Sequence, residues 1–175
     1  MELYIVGFCI IIAIAYFFFY NQIVSLRQSC QEAWSDIDVQ LRRRHDLIPN
    51  LIETVKGYAS HEKQVFEDIT ALRSQAMSTQ LGDIASVAKV EQSIGAGIQQ
   101  ILGIAEAYPD LKANQEYLNL QFELTKTEDE LASARRIYNG NVAAYNVKIA
   151  TVPASIIASL QGFTPMSFFQ DDDKS

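Results

Sequence analysis

Apolar positions recur in a three-then-four rhythm along most of this chain. Ile23, Cys30, Trp34, Ile37, Leu41, Ile48, Leu51, Val55 and Tyr58 fall on one seam, and Val65, Ile69, Leu72 and Ala76 continue it. Polar residues fill the opposite face, the mark of an amphipathic helix packed along one coiled-coil-like stripe. The stretch STQLGD, residues 78–83, is the first clear break, and Asp83 suits the N-cap of a second helix. That helix carries Ile84, Val87, Ile94, Ile98, Ile101 and Ala105 on its seam and stops at Tyr108-Pro109. Pro109 fits the first position of a third helix, with Asp110 favourable in its first turn. The third helix extends to about Ile149, with Tyr117, Leu120, Leu124, Leu131, Ala134, Tyr138 and Tyr145 inward. With almost no strand pattern and short loops, the chain is expected to be all-α, a long antiparallel helical bundle. Pro49 lacks an N–H and crowds the carbonyl of His45, so a kink or break is expected there, while continuity through Gly57 stays open.

The head of the chain follows a different pattern. Leu3 to Tyr20, LYIVGFCIIIAIAYFFFY, contains no charged side chain. At 1.5 Å per residue, about 18–20 such residues nearly cross a hydrocarbon core of ~30 Å. A cleaved signal peptide is the rival reading, because Ala13-Ile14-Ala15 resembles a cleavage site. Glu2 stands where a basic region belongs, however, and Tyr16 to Tyr20 are all aromatic where a polar segment should follow. A retained transmembrane helix is the better reading, with Tyr4 at one interface and Tyr16 and Tyr20 at the other. Arg27, the basic side chain nearest the anchor, directs the bundle to the cytoplasm by the positive-inside rule. The organisation expected is an anchor at 1–20, a bundle at 21–150 and an apolar, aromatic tail at 151–175. In that tail Pro153 stops the third helix, and Phe163, Phe168 and Phe169 follow. Antiparallel passes would return the tail toward the anchor, to lie on the bilayer, on a neighbouring subunit or on its own bundle.

Composition narrows the choice of function. One domain with a real core fits 175 residues, and a net charge of -7 speaks against nucleic acid as a partner. Apart from Asp171-Asp172-Asp173, a solvated terminus, the acidic residues are spread along the helices. Cys9 and Cys30 cannot build a disulfide framework. His45 and His61 stand apart without a metal-ligand spacing, and no nucleotide-binding or nucleophile motif occurs, so no cofactor, metal or small-molecule substrate is expected.

The run Arg42-Arg43-Arg44 offers more. Successive helical residues diverge by about 100°, so the three cannot form one basic patch. Arg42 also lies ~33 Å beyond the anchor on a continuous helix, too far for lipid headgroups. Arg44 falls on the apolar seam, and a buried arginine requires partners. Glu128 and Arg135 are one heptad apart on the third helix, with Gln121 and Asn139 on the same flank. An interhelical polar layer of Arg44, Asp46, Glu128, Arg135 and Asn139 is therefore expected, against the plainer reading of a solvated face. Tyr138-Asn139 recurs as Tyr145-Asn146. Tyr138, Tyr145 and Asn146, with Phe163, Phe168 and Phe169, form a candidate interaction face, unless the tyrosines simply fill the core.

Three stretches carry a family resemblance: AWSDIDVQLRRRHDLIPNLIETVKGYASHE (33–62), AEAYPDLKANQEYLNLQFEL (105–124) and TEDELASARRIYNGNVAAYN (127–146). In that order, with the anchor and the aromatic tail, they resemble the LemA family of bacterial membrane proteins. His45 stands where the family usually has tyrosine. The resemblance implies a single-pass protein of the inner membrane, its short N-terminus outside and its bundle in the cytoplasm. It brings no catalytic residues. Relatives include a magnetosome-associated branch, and family genes often neighbour those of membrane metalloproteases. The function it implies is a membrane-anchored scaffold, self-associated or bound to another membrane protein, with a protease accessory as the alternative.

Overall fold

The computed structural model describes residues 1–79 and 83–169. The acidic run at Asp171–Asp173 and the centre of the break at residues 80–82 lie outside the described residues. Among the described residues there are six helices and no strand: α1 (Glu2–Lys56), α2 (Lys63–Ser78), α3 (Ile84–Ala105), α4 (Pro109–Lys112), α5 (Gln115–Ala150) and α6 (Ala154–Gln161). The fold is all-α, as the periodicity predicts, and it divides into two compact units. One comprises Met1–Ser35 and Arg136–Phe168, the other the described residues of Asp36–Arg135 together with Phe169.

The second unit holds a core drawn from five helices. Ile48, Leu51 and Val55 of α1 meet Phe66 and Ile69 of α2, Ile94, Ile98 and Ile101 of α3, Leu111 of α4 and Leu124 of α5. Helices α2 and α3 approach closely at Gly97, where a Cβ would sit 3.3 Å from Ile69 Cδ1. Asp83 caps α3 as expected, its side chain accepting from the Ser86 amide at 3.1 Å.

Three features depart from the sequence reading or decide what it left open. First, α1 runs unbroken through Pro49. The proline has no N–H to return to the His45 carbonyl, and Arg73 Nε of α2 donates to that oxygen at 2.8 Å instead. Second, continuity through Gly57, left open by the sequence, ends in a break: the first helix stops at Lys56. The Tyr58 and Ala59 amides both donate to the Val55 carbonyl, at 3.0 and 2.9 Å, so the turn buries Ala59 and leaves Tyr58 outside. Third, the third helix is interrupted after α4. Asn114 restarts it as α5, its side-chain oxygen accepting from the Tyr117 amide at 3.0 Å.

In the first unit α1 and α5 lie antiparallel. The Trp34 and Tyr138 rings are 5.5 Å apart, Asn141 Nδ2 donates to the Ser29 carbonyl at 3.0 Å, and Lys148 Nζ sits 4.9 Å above the Phe19 ring. Each step up α5 is thus a step down α1. Helix α6 bends 95° away from α5 and ends at Gly162, whose φ of 71° supplies the left-handed residue that closes a helix. The apolar start of α1 is exposed, Ile5, Phe8, Ile11, Ile14, Phe17 and Phe18 included, and it is long and apolar enough to cross a membrane.

Candidate functional site

The most demanding chemistry in the second unit surrounds Arg44, which is 1% exposed. Its Nη1 donates to Glu128 Oε2 of α5 at 2.9 Å. Its Nη2 donates to the Glu91 carbonyl of α3 at 3.0 Å and also to Glu91 Oε2. The neighbouring His45 Nε2 reaches Glu91 Oε1 at 2.7 Å, so both carboxylate oxygens of Glu91 are engaged. Burial alone pushes the Glu91 carboxyl up, but the His45 hydrogen bond and the Arg44 charge outweigh it and hold the group below its ordinary value. Arg135 extends the layer. Its Nη1 lies 3.9 Å from Glu128 Oε1, and its guanidinium sits 5.0 Å over the buried Phe169 ring.

The three consecutive arginines do three different things. Arg42 points outward and pairs with Asp38 one turn back at 2.6 Å. Arg43 bridges Glu123 at 2.6 Å and Glu130 at 3.2 Å on α5, half exposed. Arg44 alone enters the core. Of the residues expected beside it, Glu128 and Arg135 are there. Asp46 is exposed, because two residues along a helix turn it about 200° away from Arg44. Asn139 is half-buried and belongs to the first unit. Glu91 takes the acidic place the sequence reading gave to Asp46. Its signal was present: it is the one charge on the α3 seam between Val87 and Ile94, the same anomaly that singled out Arg44.

A cleft of about 350 Å³ opens beside this layer, lined by Asp38, Arg42, His45, Asp46, Met77 and Glu91 among others. Of the ionisable groups in its lining, Arg42 pairs with Asp38 and His45 with Glu91. Among the described residues no group of three or more His, Cys, Asp and Glu side chains gathers as a metal site.

The tyrosine stripe is occupied by the chain itself. Tyr138 and Tyr145 are each 2% exposed. Tyr138 OH donates to the Ser167 carbonyl at 2.8 Å and Tyr145 OH to the Thr164 carbonyl at 3.1 Å. Asn146 makes a two-way bond with Met166, its Nδ2 to the carbonyl and its Oδ1 from the amide, both at 2.9 Å. Burial pushes the Tyr138 hydroxyl up to about 12, and Tyr145 is raised for the same reason. These residues therefore clasp the extended tail and do not present an open face. Phe163 packs against Tyr20 with ring centroids 6.1 Å apart, and Phe168 is partly exposed.

The chain matches the LemA family over residues 33–175. Protein LemA of Metamycoplasma hominis is 28% identical over 174 residues, 95% of this chain and 77% of that protein. Magnetosome protein MamQ of Magnetospirillum gryphiswaldense is 24% identical over 176 residues, 87% of this chain and 65% of that protein. Magnetosome protein MamQ 1 of Paramagnetospirillum magneticum is 23% identical with the same coverage. The chain thus spans 65% of the length of the magnetosome relatives it matches.

Proposed function

We propose that this chain, which belongs to the LemA family, is a membrane-anchored, non-catalytic helical scaffold of the bacterial envelope. It acts by binding protein, its own copies first. The observation that carries this reading is the Arg44 layer. One guanidinium joins α1, α3 and α5 through Glu91 and Glu128, and the buried charges answer one another instead of facing a substrate. Such a layer fixes the register of helices, a use of buried ion pairs with good precedent. The exposed apolar head of α1 gives the anchor, and Arg27 beyond it favours a cytoplasmic bundle with the N-terminus outside the inner membrane. On the outer surface of α5, Leu118 and Phe122 are exposed one turn apart and offer an apolar contact for a partner.

The test is the mass and composition of the complex extracted intact from native membranes. A homogeneous assembly of this chain, lost on Phe122→Glu, is the expected result. A second membrane protein in fixed ratio would move the role from self-built scaffold to adaptor, and a membrane metalloprotease in that position would make it a protease accessory. Recovery of a monomer with no fixed-ratio partner would overturn the proposal.

A further inference from the structure

Helix α6 has the sequence ASIIASLQ, without a charge. Ala154, Ile157 and Ala158 are buried, while Ile156 is 59% and Leu160 74% exposed, one turn apart. Val152, ahead of the N-cap Pro153, is also apolar and 80% exposed. An apolar ridge of this kind in water calls for a cover.

Its place in the first unit says what covers it. Gln161 Nε2 donates to Tyr16 OH at 2.7 Å, and the Phe163 ring lies 6.1 Å from that of Tyr20. Helix α6 therefore sits at the level where the apolar run Leu3–Tyr20 of α1 ends. Because α5 is antiparallel to α1 and α6 turns 95° from α5, α6 crosses the anchor nearly at right angles. That direction lies in the plane of a bilayer through which α1 stands upright. After Gly162 the tail climbs back along α5, with Thr164 at Tyr145 and Ser167 at Tyr138, so α6 is the lowest point of this hairpin. Two cations stand at the same level: Lys148 Nζ 4.9 Å above Phe19, and the Arg27 guanidinium 5.9 Å above Phe163. Cations with their stems along aromatic rings are what an anionic headgroup layer attracts.

We infer that α6 is a second, interfacial membrane contact: it lies in the headgroup boundary with Ile156 and Leu160 turned into the acyl chains. The contact fixes the rotation of the bundle about the anchor, which a single spanning helix leaves free. It rests on the membrane-anchored part of the preceding proposal and on no protein partner.

Spin labels on the full-length chain test it, in liposomes of phosphatidylethanolamine and phosphatidylglycerol. The background is Cys9→Ala, with the buried Cys30 left in place. Labels go on Ile156→Cys, with Leu160→Cys as the second site should the first variant fold poorly. Phe18→Cys on the exposed apolar part of α1 and Gln31→Cys on its exposed polar part are the references. The expected result is that collisions with oxygen exceed those with a water-soluble nickel chelate at Ile156 and Phe18, and that the order reverses at Gln31. Nickel collisions at Ile156 matching those at Gln31 would put α6 in water and overturn the inference. Low collision with both reagents would mean protein covers the ridge, which also overturns it. A Phe18 label in water would remove the anchor itself, and the inference with it.

Discussion

The two units hold their helices together with opposite chemistry. In the second, a buried guanidinium and carboxylate tie three helices at one point, with His45 and Arg135 around them. In the first, neutral hydroxyls and an amide of α5 clasp the extended tail, residue by residue, from Thr164 to Ser167. A buried ion pair adds little net stability when intact, yet removing one member strands the other in the core at heavy cost. A neutral hydrogen bond is weaker and fails more gently. The register role proposed for the Arg44 layer thus predicts a sharp loss when one partner is removed in the second unit, and a gentler one for the tail contacts of the first.

The sharpest way to break this comparison is to remove Glu91. Glu91→Ala leaves Arg44 buried without its main partner and should cost about 3–5 kcal/mol in urea unfolding. A loss within about 0.5 kcal/mol would show that water, not carboxylate, satisfies Arg44, and the contrast between the units would vanish. Replacing the pair together, Arg44→Met with Glu91→Leu, should recover most of the loss, since apolar residues of similar volume often substitute for an ion pair at little cost. If the double variant is as unstable as the single one, the layer contributes more than mutual neutralisation.

Next in size is the brace at Pro49. Arg73→Met withdraws the donor from the His45 carbonyl and should cost roughly 1.5–3 kcal/mol, a bond from a charged group to a partly buried acceptor. Adding Pro49→Ala returns a backbone N–H to that carbonyl, so the cost of losing Arg73 should shrink on the alanine background. Equal costs on both backgrounds would mean that Arg73 and Pro49 are uncoupled. In the first unit, Tyr138→Phe should cost less, about 0.5–1.5 kcal/mol, because the Ser167 carbonyl it releases belongs to an exposed residue that water can reach.

These residues also show what a sequence can disclose. The inward positions of α3 and α5 were legible because helical period and apolar identity coincide there, at Ile94, Ile98, Leu131 and Tyr138. The break after Lys56 was hidden because Tyr58 and Val65 are one heptad apart, so the rhythm crosses the turn undisturbed. The interruption at Asn114 was readable in principle, as an N-cap residue that the apolar pattern overshadowed. Arg44 betrayed itself as a charge on an apolar seam, and the same test applied to α3 finds Glu91. The Arg73 contact left no such mark. Its acceptor is a backbone carbonyl 28 residues away, and only the tertiary fold brings the two together. The tail clasp is similar: tyrosine and asparagine at heptad spacing fit a partner's backbone or the chain's own, and packing alone decides.

Acid and base should separate the two units most finely. Glu91 is held below its ordinary carboxyl value, so through the acid range the unfolded chain binds the extra proton. Its contribution is present above the unfolded value and fades as pH falls toward the folded one. Tyr138 has the opposite sign. With its hydroxyl pushed up to about 12, the folded chain keeps a proton the unfolded chain has released, so its contribution is complete below the unfolded value, near 10, and fades as pH climbs to about 12. Trp34, the single tryptophan, packs 5.5 Å from Tyr138 and reports on that part of the first unit, while far-UV circular dichroism follows every helix. In mild urea, acid should therefore lower the helical signal before the Trp34 signal, and Glu91→Gln should flatten that acid limb. Alkali should move Trp34 first, and Tyr138→Phe should delay it. Coincident transitions at both extremes would mean the two units unfold as one, whatever the chemistry that holds each together.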